Sequence, residues 1–148
     1  MSQVDQDHKY EDTEPRRDVH IDSELHELFT ELQESEESPF YQVKNHDLFM
    51  FTVGYCRQYA SPQPIENEEH AFFGRSRLSE TQQSVLEAVA VAEHGTAEVL
   101  RDQRQVYQLA ERLANGGVKT LYERIFESDD DPLSELTLDV KEAYEAGT

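Results

Sequence analysis

The side chains from which a reactive or binding site could be built are six histidines, one cysteine and nine arginines. His8, His20, His26, His46, His70 and His94 never recur at a spacing of three or four, and neither His-Glu-x-x-His nor Cys-x-x-Cys occurs. Paired zinc ligands on one helix face or one knuckle need such spacings, so no metal site is expected. Cys56 sits in an apolar run and reads as a buried, inert thiol, since a nucleophilic cysteine needs a base or cation beside it. Gly-x-Ser-x-Gly, Walker-type and Gly-x-Gly-x-x-Gly loops are missing from the sequence. Asp129-Asp130-Asp131 lacks the alternating ligands and closing glutamate of a calcium loop. No catalytic residue, metal or cofactor is therefore expected, and the chain reads as non-enzymatic.

Basic residues offer a different chemistry. Lys44, Arg57, Arg75 and Arg77 flank the most apolar segment and the loop after it, and no acid lies between Gly74 and Ser79. Guanidinium forks match phosphate oxygens, which makes Arg75-Ser76-Arg77 a candidate phosphate clamp and these four residues the candidate nucleic-acid contacts. The competing reading is surface ion pairing with surrounding glutamates. Arg101, Arg104, Arg112, Lys119 and Arg124 fall on later helical stretches.

The charge distribution frames that choice. The chain has 148 residues and a formal net charge of −19, with 13 acids against 3 bases in 1–38 and 8 against 1 in 127–148. The middle, 39–126, is near neutral at 11 acids against 9 bases. Three readings of the acidic ends stay open: solvated tails, adaptation to a salt-rich cytoplasm, and a DNA-mimicking surface. A strongly acidic total opposes non-specific DNA binding, which needs clustered Lys and Arg, but the near-neutral middle leaves room for a local basic face. A single cysteine points to a reducing compartment. With no leader and no apolar run of about 18 residues, a soluble cytoplasmic protein is expected.

The elements that would position these groups are helical. Residues 1–20 carry no apolar period and are expected to form a disordered acidic lead, with a domain over 21–127 and an acidic tail over 128–148. Asp22 or Ser23 caps a helix with a stripe at Leu25, Leu28, Phe29 and Leu32. Asn45 is expected to cap a helix reaching Tyr59 whose apolar residues cover nearly its whole circumference. Such a helix is a central core element or an oligomer interface, and its Gly54 would admit a neighbouring helix. Ala60 to Pro64 begins an extended linker, and His70 to Gly74 reads as a short strand or an apolar plug. Ser79 with Gln82 makes a capping box for a helix that Gly95 ends. A stripe at Val106, Leu109, Ala110 and Leu113 then runs to Asn115-Gly116-Gly117, where a helix–helix corner is expected before Leu121 to Phe126. The fold class is mainly α: a compact single domain of about five helices with acidic, partly disordered termini.

Four stretches in order carry a family resemblance: SPF (38–40), DLFMFTVGYCRQ (47–58), LEAVAVAEHG (86–95) and LANGGVKTLYE (113–123). Over about residues 38–126 the chain resembles the small accessory proteins associated with DNA phosphorothioation, encoded beside the Dnd sulfur-modification genes. Gly54, Asn115, Gly116 and Gly117 belong to that signature, and the acidic ends are similar to those of haloarchaeal members. The resemblance implies a non-enzymatic accessory component of a modification or restriction system against phage. Its partners would be the other proteins of that system and double-stranded DNA, with no membrane, and oligomerisation would use the 47–59 helix. The chain departs from relatives after Tyr55, where they look more basic, and this weakens direct DNA binding. Rival readings are a protein–protein adaptor that never touches DNA and a small helical transcriptional regulator. The regulator lacks a recognition helix rich in Arg, Asn and Gln.

Overall fold

The computed structural model describes residues 13–127 together with Asp139, Lys141 and Glu142. Strand β1 (Asp18–Asp22) opens the order and leads directly into helix α1 (Ser23–Glu34). Helix α2 (Asn45–Tyr59), strand β2 (Glu69–Gly74), helix α3 (Glu80–His94) and helix α4 (Gln103–Phe126) follow, with 3-10 turns at Arg75–Arg77 and Ala97–Arg101. No described helix is long and apolar enough to cross a membrane. The mainly helical, compact expectation holds, with four helices and a small sheet in place of about five helices.

β1 begins within the last residues of the 1–20 stretch expected to be a structureless lead and runs on into the expected domain. DVHID offers only two inward apolar residues, too few to signal a strand alone. Its partner completes the signal: β1 pairs antiparallel with β2, Val19 opposite Phe73 and Ile21 opposite His70, with an irregularity between Val19 and His20. Val19 and Ile21 are buried. Residues 1–12 of the expected lead lie outside the described residues, as does the 128–148 tail apart from the three residues named above.

Helix starts follow local chemistry closely. Asp22 caps α1, its Oδ1 accepting the Glu24 N–H at 3.0 Å. Ser79 and Gln82 form the reciprocal capping box of α3, and Gly95 closes that helix at φ 75°. Thr96 caps the second 3-10 turn and Asp102 caps α4. Asn45 is not the cap of α2; Lys44 holds that position without a side-chain bond. The Asn45 amide instead donates to the Phe72 carbonyl at 3.0 Å and accepts from Gln33 Nε2 at 2.6 Å, joining α1, α2 and β2. A tertiary role has displaced the local one.

α2 is a core element: Leu48, Phe49, Thr52, Val53, Tyr55 and Cys56 are buried, and its most extensive packing is against α4. Gly54 does not mediate that approach. It is exposed, and a Cβ there would meet nothing within 4 Å. The close approach belongs to Gly116 and Gly117, and the corner expected there does not exist. α4 runs unbroken for 24 residues. A Cβ on Gly116 would come within 1.9 Å of the Ser61 carbonyl oxygen, and one on Gly117 within 2.0 Å of that of Thr52. Two glycines inside a helix cost about 1 kcal/mol each. Full burial of side chains such as Leu48, Val53 and Leu113 along this contact returns about 1.5–3 kcal/mol apiece.

Candidate nucleic-acid interface

The route to the site begins on the free side of β1. Glu111 and Asn115 stand one turn apart on α4, a rise of about 6 Å. The His20 and Asp22 N–H groups of the strand, two residues apart, are separated by about 6.6 Å. The two spacings match. The Glu111 Oε2 accepts the His20 N–H at 2.7 Å, and the Asn115 Oδ1 accepts that of Asp22 at 3.2 Å. Both acceptors are buried, so α4 side chains satisfy the strand edge that β2 leaves open.

Arg16 extends this lock, bonding Glu69 of β2 at 2.6 Å and Glu111 at 3.3 Å. Burial pushes the Glu111 carboxyl above its ordinary value, while the His20 N–H and Arg16 oppose that shift. The Arg16 carbonyl accepts Nε of Arg75 at 3.1 Å, and the Arg75 N–H donates to the Arg17 carbonyl at 2.9 Å. The Arg75 guanidinium lies 5.7 Å from the centre of the Tyr107 ring on α4, within cation–π range. Arg75 is thereby held at both its backbone and its side chain.

This geometry brings Arg17, Arg75 and Arg77 around one cleft of about 520 Å³, with Asp18, Gly74 and Ser76 completing its walls. Arg17 and Arg77 are exposed, and among the described residues neither has an acidic partner. Of the four expected contacts the fold joins only Arg75 and Arg77. Lys44 is exposed at the start of α2, and Arg57, near its other end about 20 Å away along the axis, pairs with Glu93 at 3.1 Å. Neither lines the cleft. Arg17 was missed because it lies in a stretch with no apolar period; the only signal was the Arg16-Arg17 doublet ahead of Val19.

Other reactive groups are engaged in structure. Burial and Glu93 push the Cys56 thiol up to about 11, so it stays protonated near neutrality. His26 and His70 stack with ring centres 3.9 Å apart, and burial together with His70 lowers the His26 pKa. No group of three His, Cys, Asp or Glu suited to a metal occurs among the described residues. Asp139 is clasped by Tyr55, whose hydroxyl donates at 2.8 Å, and by Arg124 at 2.8 and 3.2 Å. A second cleft of about 390 Å³ between α1 and α4 has Leu25, Leu28 and Tyr122 on its walls, with Lys119 and the acidic residues Asp22, Glu24, Glu66, Glu123 and Glu127 around them.

Comparison with protein-family models, curated proteins and solved structures returns no match.

Proposed function

We propose that this chain is a non-enzymatic accessory component of a DNA phosphorothioation-linked modification or restriction system, and that it contacts DNA through the arginine cleft. The observation that carries the DNA contact is the convergence of Arg17, Arg75 and Arg77 on one cleft in a chain of net charge −19. Arg17 and Arg77 are exposed and, among the described residues, without carboxylate partners, which suits them to phosphate oxygens even in so acidic a protein. The association with phosphorothioation rests on the sequence resemblance. Acidic surroundings restrict the contact to this one place and make it short-ranged, so affinity depends on few phosphates and falls gently with salt.

A binding titration at working salt tests the contact with modified and unmodified duplex. Arg75→Ala/Arg77→Ala is expected to weaken both. Unchanged affinity, or no binding by the unaltered protein, sinks the DNA contact. The α1–α4 cleft, with its apolar walls and carboxylate rim, favours a second reading as an adaptor for a basic partner protein. Co-purification with the products of neighbouring sulfur-modification genes checks it, and the absence of those genes from the neighbourhood would remove the system-level assignment.

A further inference from the structure

We infer that the Arg17–Arg75–Arg77 cleft is a site for a phosphate monoester, presented by the end of a nucleic-acid strand, in preference to an internal phosphodiester. This rests on reading the cleft as the DNA-contacting surface. Three guanidiniums and the Asp18 carboxylate share the cleft, which leaves two net positive charges. A phosphate monoester near neutral pH carries about −1.5 to −2, whereas each internal phosphate carries one charge. A single internal phosphate leaves one of those charges unmatched, and a monoester does not.

Asp18 stands on the cleft wall beside Gly74, its Oδ1 within 3.8 Å of where a Cβ on that glycine would lie. A strand continuing past the bound phosphate on that side would bring its next phosphate toward this carboxylate. A strand end brings a single phosphate with no successor.

Arg75 is fixed by the Arg16 carbonyl and the Tyr107 ring, so its remaining guanidinium N–H groups are held in place on the cleft wall. Arg17, the residue just ahead of β1, and Arg77 of the 3-10 turn line the same cleft, with Ser76 between the two arginines of that turn in sequence. A monoester presents three terminal oxygens to these donors and a diester only two, so the extra oxygen and charge are used only by a strand end.

The experiment compares one short duplex bearing either a 5′-phosphate or a 5′-hydroxyl, followed by fluorescence anisotropy with the full chain. The phosphorylated duplex is expected to bind about tenfold more tightly or better, as one further charge-assisted contact implies. Arg17→Gln and Arg77→Gln, both at exposed positions, are expected to erase that difference while circular dichroism stays unchanged. Equal affinity for the two duplexes overturns the inference but leaves an arginine-dependent DNA contact standing. No binding of either overturns both. A nucleoside 5′-monophosphate that displaces the phosphorylated duplex at the duplex's own concentration overturns the strand-end source.

Discussion

Gly117 faces Thr52 so closely that a methyl group on the glycine would lie 2.0 Å from the threonine carbonyl oxygen. That contact sets how near α2 and α4 come. Because the obstacle is backbone, relief requires the helices to separate. Gly117→Ala is expected to destabilise the protein by about 1–3 kcal/mol or more through overpacking. Gly116→Ala, against the Ser61 carbonyl, should behave alike. Gly54→Ala meets open space and should stabilise by roughly 0.5–1 kcal/mol. Urea denaturation of the three variants checks the contrast, and equal effects would contradict it.

Asn115 and Glu111 hold the open side of β1 from α4. Asn115→Ala leaves the buried Asp22 N–H without its acceptor, which costs about 1–3 kcal/mol. Loss of that bond should appear as faster amide exchange at Asp22, with α3 protection unchanged.

Asp22 accepts from the N–H groups of Glu24, Glu66 and Asn67 and from the Asn67 side chain. Burial alone would raise its carboxyl, but these bonds, led by the Asn67 side chain, hold it below the ordinary 3.8. Its unfolded state therefore binds the proton more readily, so this contribution is complete above 3.8 and disappears as pH falls through the lower folded value. Asp22→Asn keeps a capping side chain, and its acid unfolding curve should be flatter in that window.

Glu111 has the opposite sign. Burial raises its carboxyl above the ordinary 4.5, so the folded state binds the proton more readily and stability falls as pH rises from 4.5 through the folded value. Glu111→Gln should lack that fall while still accepting the His20 N–H. Denaturant midpoints across this range, compared with those of Asp22→Asn, separate the two contributions.

Asp139 closes over Tyr55 and Arg124. Asp139→Ala strands the buried Tyr55 hydroxyl and removes both Arg124 bonds. Because Arg124 is partly exposed, the cost is set at about 1–3 kcal/mol. A urea midpoint lowered to match is the expected readout.

Local chemistry written in the sequence decided the starts of α1 and α3 and one helix end. Asp22, Ser79 with Gln82, and Gly95 act through groups within four residues of themselves, so neighbours in the chain suffice to read them. The buried stripe of α4 and the buried Phe29 and Leu32 of α1 were legible for the same reason. Glycines are ambiguous, because a Cβ-free residue suits both a turn and a tight contact. Only the packed helices show that Gly116 and Gly117 make the contact and that Gly54 makes none. β1 has too few apolar residues to announce itself and depends on bonds from α4, about 90 residues away, as well as on β2. The arginine cleft has the same origin. Arg75 and Arg77 were readable as a pair in an acid-free loop, whereas Arg17 joined them only when β1 paired with β2. Charges distant in sequence become one site only through tertiary pairing.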